Sequence, residues 1–343
     1  MVDIKTRLFF ALAPRTDESL GGYIIRLAEA NAGHSPERIM RSVFGECAQP
    51  RLDRSTGFAA YCRTEPDDIC GLSGFWRTGH GPVPECRLGS VWVVAKPHMS
   101  GPCRAICPQC LSDDSYSRDT WDISLYTCCI EHQCDLVDRC PECRRLLIWS
   151  RRSLTRCHCG FDMRRARATP TSSGRLFVAA SLSDCVDRSR LSPDTLPIAT
   201  NLAHEAISFG HLDTALQIIW FLGVSFPALV IGKISRGRAG VPLSSALTYA
   251  DQAFHMLNNW PRTFVCGLDK LFTSRLEKSN YEAERVLRFV RDRIWQLTPG
   301  YDPLNMRRIF QQQTRDLLKR ANRTGSLRSL SSQLELELEP IPL

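Results

Sequence analysis

Eight residues able to bind a metal fall between positions 107 and 159 in four close pairs: Cys107 with Cys110, Cys129 with His132, Cys140 with Cys143, and Cys157 with Cys159. Four-coordinate zinc takes four thiolate or imidazole donors, and two donors separated by two residues on a tight knuckle supply half of that shell at once. The other half must return from elsewhere. Cys129 follows Cys110 after 18 residues and Cys157 follows Cys143 after 13, lengths that suit a strand, a short helix or a hairpin. The pattern predicts two consecutive structural Zn2+ sites saturated by protein donors, with no open position for a catalytic water. Each ion then contributes about 10 kcal/mol to folding a segment too polar to collapse alone. One ligand is left open: Cys128 competes with Cys129, at a gap of three rather than two to His132, and Cys134 also flanks the set. His158 is read as pointing away from the ion that its neighbours hold.

A disulfide framework is the rival reading, because the chain holds 16 cysteines. Its first residues, Met1-Val2-Asp3-Ile4-Lys5-Thr6, show no basic region followed by an apolar one of the kind that directs secretion. Reduced thiols, a cytoplasmic location and metal binding are therefore expected. Cys47, Cys62, Cys70, Cys86, Cys103, Cys185 and Cys266 lack knuckle spacing and read as buried thiols. The longest apolar stretch, Ile218 to Ile231, is broken by Gly223, Ser225 and Pro227 and falls short of the about 20 residues a bilayer span needs, so no membrane partner is expected. Nor does a catalytic constellation emerge. Gly232-Lys233 has Pro227 and Ile234 where a phosphate-binding loop needs Gly and Ser or Thr, no Gly-x-Ser-x-Gly elbow occurs, and the His-x-Glu then Cys-x2-Cys order of the zinc deaminases is absent around His132. The chain is not expected to be an enzyme.

Charge is distributed unevenly around the donors. From Cys107 to Asp138 the one cation, Arg118, faces Asp113, Asp114, Asp119, Asp122, Glu131, Asp135 and Asp138, a net of −6. From Arg139 to Arg167 the sign reverses to +7, and every cation is arginine: Arg139, Arg144, Arg145, Arg151, Arg152, Arg156, Arg164, Arg165 and Arg167. The planar guanidinium fork fits phosphate oxygens, so Arg144, Arg145, Arg151, Arg152, Arg156, Arg164 and Arg165 are the candidate nucleic-acid contacts. An acidic protein partner, or pairing with the acidic module, would use the same charges.

The elements that must position these groups make the chain mainly α, with small β zinc ribbons. Residues 1–105 carry a helix-turn-helix-like pair and an irregular extension. Thr16 caps a first helix with Asp17 and Glu18 in its first turn and a stripe of Leu20, Tyr23, Ile24, Leu27 and Ala28, ending at Asn31 and Gly33. Ser35-Pro36-Glu37 opens a second helix with Ile39, Met40, Val43 and Phe44 on its apolar face. Such a pair either reads DNA or only packs a core. Val91-Trp92-Val93-Val94 is strand-like. Tandem zinc modules occupy 106–165, a linker 166–198, an all-α domain 199–323 and a flexible tail 324–343. The helical domain holds stripes at His204–Leu222, Ser245–Asn258, Pro261–Phe272, Glu282–Leu297 and Pro303–Arg323. Arg307, Arg308, Arg315, Lys319, Arg320 and Arg323 make the last a second candidate phosphate contact or simply a charged outer face.

The ordered string Cys107-Pro108-Gln109-Cys110-Leu111, Tyr116-x-Arg118-x2-Trp121, Cys129-x2-His132-x3-Leu136-x3-Cys140-Pro141-x-Cys143 and Cys157-x-Cys159-Gly160 resembles the TniQ/TnsD family. So does Pro14-Arg15-Thr16-Asp17-Glu18-Ser19-Leu20-x2-Tyr23-x2-Arg26-Leu27-Ala28, and more loosely Trp260-Pro261-x2-Phe264. The resemblance implies a target-selecting subunit of a multi-protein transposition machinery. Such a subunit is an adaptor that grips target DNA or rides on a CRISPR RNA-guided complex and recruits the AAA+ ATPase TnsC. It implies an amino-terminal helix-turn-helix, tandem zinc ribbons and a helical carboxyl-terminal domain, and it is compatible with a homodimer. The long carboxyl-terminal extension of TnsD-type members has no counterpart in these 343 residues, which favours the compact TniQ type. The alternative function is an autonomous, zinc-dependent, sequence-specific DNA-binding protein, either an attachment-site reader or a transcription regulator.

Overall fold

The computed structural model describes residues 8–32, 34–45, 50–77, 85–89, 91–93, 105–190, 212–231, 241–297 and 302–323. The chain forms two compact units, one of residues 1–198 with 237–250 and one of 199–236 with 251–343. It is mostly helical, with five short strands in two small antiparallel sheets among the described residues. The tail 324–343, the start of the helix expected from His204, and Cys47 and Cys103 lie outside the described residues.

In the first unit, α1 (Leu20–Ala30) and α2 (Pro36–Phe44) form as their apolar spacing requires. Ser35 caps α2 by accepting from the Arg38 N–H, Pro36 opens it, and Gly45, at φ 82°, ends it in the left-handed region that favours glycine. At α1 the expectation is corrected, because the cap is Ser19 rather than Thr16: its hydroxyl accepts from the Gly22 N–H at 3.1 Å. Asp17 and Glu18 thus precede the helix and serve other contacts. Tyr23, Ile24, Leu27, Ile39, Met40 and Phe44 pack with Phe58, Tyr61, Ile69 and Trp76 from α3 (Ser55–Cys62), α4 (Pro66–Gly71) and β1 (Gly74–Trp76) into one buried core. β1 pairs antiparallel with β2 (Glu85–Leu88), which pairs with β3 (Val91–Val93).

Residues 105–165 fold onto this core rather than standing apart from it. The Ser19 N–H donates to the Ser117 carbonyl at 2.9 Å, and the Asp119 N–H to the Asp17 carbonyl at 2.8 Å. The Tyr116 hydroxyl donates to the Asp17 carboxylate at 2.9 Å, and the Ser73 hydroxyl to buried Asp119 at 2.6 Å. Gly22 is required here, since a Cβ on it would stand 2.6 Å from the Ser117 Cβ. Gly22→Ala is expected to lower stability by about 1–3 kcal/mol through overpacking, read as a reduced urea midpoint. An unchanged midpoint would show that the joint is loose.

The described part of the stretch expected to be a linker, residues 166–190, is packed into the fold, and residues 191–198 lie outside the described residues. Residues 173–190 form α6 (Ser173–Arg190), whose Val178, Ala179, Leu182, Cys185 and Val186 are buried at helical spacing. Ahead of it the Asp135 N–H donates to the Thr169 carbonyl at 2.8 Å and the Thr171 N–H to the Gln133 carbonyl at 3.0 Å. Arg175 pairs with Asp135 at 2.9 Å.

The second unit contains α7 (Leu212–Trp220), a wide turn Phe221–Ser225, and α8 (Phe226–Val230). Pro227 has no N–H to donate and would crowd the preceding turn, which a π-type turn relieves. Leu212–Val230 is long and apolar enough to cross a bilayer by length and composition, more than the broken stretch from Ile218 promised, but over half of it is buried inside the fold. Phe221, Phe226, Phe264 and Trp260 pack in series, with centroids 5.8, 4.7 and 5.1 Å apart, the last pair stacked and the others tilted. α9 (Leu243–Asn258) begins in the first unit and ends in the second, and α10 (Arg262–Leu276), α11 (Asn280–Leu297) and α12 (Met306–Arg323) complete the described helices. α12 starts later than Pro303 because the Asp302 carboxylate accepts from the Met306 and Arg307 N–H groups at 2.8 Å each. Of its candidate phosphate contacts, Arg307 lies over Trp295 and Arg320 pairs with Asp269, while Arg308, Arg315 and Lys319 are exposed.

Candidate metal centre

The first donor set is assembled by a helix start and a turn. Cys107 caps α5 (Pro108–Asp113), its sulfur accepting from the Cys110 N–H at 3.5 Å, and the Cys129 sulfur accepts in the same way from the His132 N–H at 3.5 Å. These two knuckles bring Cys107, Cys110, Cys129 and His132 together, all four donor atoms within 4.8 Å of one another. The Cys110 and Cys129 sulfurs are 3.5 Å apart. His132 Nδ1 stands 3.3 Å from Cys110, 3.5 Å from Cys129 and 3.6 Å from Cys107.

The second set comes from two turns. Arg144, at φ 58°, closes the Cys140–Cys143 knuckle, and Gly160, at φ 91°, reverses the chain after Cys157–Cys159. The turns are held by the Cys140 N–H to the Arg145 carbonyl at 3.0 Å and the Cys157 N–H to the Phe161 carbonyl at 2.9 Å. Cys140 and Cys159 lie 3.6 Å apart, as do Cys143 and Cys157.

These spacings decide between metal and disulfide. A disulfide would hold sulfurs at about 2.05 Å. Zn–S bonds of about 2.3 Å in a tetrahedron put sulfurs roughly 3.7 Å apart, and the observed distances lie close to that edge. Either set could therefore hold one metal ion. The outer contacts fit too: His132 turns Nε2 to Asp113 Oδ2 at 3.0 Å, fixing the ring so that Nδ1 faces the sulfurs. Cys129, not Cys128, belongs to the set. Cys128 is buried beside it and is not among the four donor atoms that lie within 4.8 Å of one another.

The surrounding charges are less available than the sequence suggests. In the acidic module Asp119, Asp122 and Asp135 are buried. Arg118 bridges Glu131 at 2.8 Å and Asp17 at 3.5 Å, and Arg15 meets Asp114 at 3.2 Å. Much of the −6 is thus consumed within the unit. On the arginine side, Arg151 is a correction: it is 7% exposed, with Nε donating to the Ser153 carbonyl and Nη1 to the Ile148 carbonyl, so it braces a turn and cannot reach a phosphate. Arg144, Arg145, Arg152, Arg156, Arg164 and Arg165 are exposed. Arg164 grips Asp162 at 2.7 Å, and that hydrogen bond holds the Asp162 carboxyl down to about 2.

Sequence reasoning missed what the opening motif does. Glu18 is 1% exposed and accepts from Arg26 at both oxygens, Nε at 2.9 Å and Nη2 at 2.6 Å. The Tyr23 hydroxyl donates to the Leu12 carbonyl at 2.9 Å. With Asp17 on Tyr116 and Arg118, and Ser19 on Ser117, the motif residues are the joint between the helical core and the first donor set. The available signal was the run of polar residues Arg15-Thr16-Asp17-Glu18-Ser19 directly ahead of an apolar helix.

No curated protein matches the chain. The family model TniQ matches residues 9–136, a span that runs from the helical core across the whole of that joint and the first donor set, so this part of the chain is similar to that family.

Proposed function

We propose that this protein is a TniQ-type transposition adaptor, taking part in target-site selection without being an enzyme itself. In this reading it binds target DNA or an RNA-guided CRISPR complex and recruits the AAA+ ATPase TnsC, in the cytoplasm and with a homodimer as a compatible state. Both donor sets hold Zn2+, the ion that thiolate-rich, fully protein-ligated tetrahedra suit in a reducing compartment. The zinc is a scaffold: it fixes the turns that carry the arginines. The observation that carries the reading is the exposed set Arg144, Arg145, Arg152, Arg156 and Arg165 on the turns of the second donor set, within the same compact unit as the residues that match TniQ.

Reversing Arg144, Arg145, Arg152 and Arg156 to Glu is expected to weaken engagement of target nucleic acid or its complex and to flatten the salt dependence. On duplex DNA the log–log slope should fall by about 0.9 for each phosphate that is no longer neutralised. TnsC pull-down should be retained. Transposition at wild-type frequency by the reversed variant would remove the arginines from the mechanism. Arg151→Ala, by contrast, is expected to lower stability, with binding by the folded fraction unchanged.

The second reading, an autonomous DNA reader, draws on α2, whose outer face presents Arg38, Arg41 and Ser42 while the opposite face is buried in the core. It requires the isolated protein to shift a duplex at low salt, with affinity falling on Arg38→Ala and Arg41→Ala. No shift at low salt removes this reading and leaves the adaptor.

A further inference from the structure

A further thiol stands beside the first donor set. Cys134 is 5% exposed and its sulfur lies 3.8 Å from the Cys107 sulfur, the length of a tetrahedral S–S edge. Its backbone is placed there by two features. Cys134 opens β5 (Cys134–Asp135) and faces Cys129 of β4 (Cys128–Cys129) across the antiparallel register. Gln133, at φ 48°, turns the chain back immediately after His132, with its carbonyl held by the Thr171 N–H at 3.0 Å. The imidazole of His132 approaches all three sulfurs and the thiol of Cys134 approaches that of Cys107, from the two sides of one left-handed residue.

We propose that Cys134 is a reserve ligand, so that the first site can pass from three thiolates and an imidazole to four thiolates without releasing its ion. When His132 leaves, the Cys134 thiol gives up its proton to solvent and its sulfur takes the vacated vertex. Cys107, Cys110 and Cys129 keep their places. The exchange would let residues 130–133 change their contacts, including the ring's bond to Asp113, while the joint to the helical core stays folded. This inference rests on the metal reading above and concerns only who completes the first tetrahedron.

The test measures zinc per chain in purified full-length protein and, after exchange with cadmium, the 113Cd NMR resonance of each site. Wild type should hold two equivalents and show one resonance for a site with a nitrogen donor and one for an all-sulfur site. His132→Ala should still hold two, with both resonances now in the all-sulfur range. Cys134→Ala should hold two with the wild-type spectrum, and the double variant His132→Ala/Cys134→Ala should hold one. A His132→Ala protein that holds only one equivalent, or keeps two without the shift of one resonance, or fails to fold, overturns the proposal. Wild type holding no metal would instead overturn the metal reading itself.

Discussion

Removing both metal ions with a chelator is expected to unfold residues 105–165 and to release the joint at the start of α1. The elements that carry the donors cannot stand alone: α5 has six residues, and β4 and β5 have two each. Helices this short do not persist in water, and an isolated two-residue pairing is weaker still. Coordination worth about 10 kcal/mol per site at neutral pH is comparable to the whole stability of an ordinary domain, about 5–15 kcal/mol in typical cases. Two such losses leave nothing to offset the chain entropy. Among the described residues the second unit holds no donor cluster, so its helical signal should survive. Circular dichroism with parallel zinc release measures both parts, and an unchanged melting curve after two equivalents have left would show that the turns hold themselves.

Arg26→Ala is expected to cost about 3–5 kcal/mol at neutral pH, the range for stranding one member of a buried ion pair. Glu18 has no exposed side-chain surface and Arg26 only 18%. Burial raises the Glu18 carboxyl above its ordinary range, and the hydrogen bonds and charge of Arg26 oppose that rise. Without Arg26 the opposing contribution is gone and the folded-state carboxyl climbs further. A folded-state pKa above the unfolded one gives stability that is present below the unfolded value and lost as pH rises through the folded value. The deficit of Arg26→Ala relative to wild type should therefore be largest at neutral pH and shrink in mildly acid buffer as Glu18 takes up a proton. Urea midpoints of both proteins at the two pH values measure this, and a deficit independent of pH would mean that the missing bond to the Ala13 carbonyl dominates.

The candidate site was legible in the sequence because metal donors declare themselves by type and spacing. Knuckle geometry is local, so Cys107 to Cys159 could be paired without knowing the fold. The caps of α2 and the stripes of α9 to α12 were legible for the same reason. What escaped reading was set by distant partners. Ser19 outranks Thr16 as a cap only because Asp17 and Glu18 are held by Tyr116, Arg118 and Arg26. Arg151 looks like its neighbours in the sequence, yet carbonyls of its own turn draw it inward. α6 was masked by its serines and glycine, although Val178, Leu182 and Val186 mark a buried face once a surface exists to cover it.

α1 is gripped at both ends. Its first turn is tied to Ser117, and at its last turn Glu29 accepts from the Ser153 hydroxyl at 2.7 Å and from the Leu154 N–H at 3.4 Å. Eleven residues of helix make a rod about 16 Å long, and it splints the loops on either side to a constant separation. A displacement of the loop at Ser153 and Leu154 is therefore carried along that rod to the turn at Ser117 rather than lost in a loose tether.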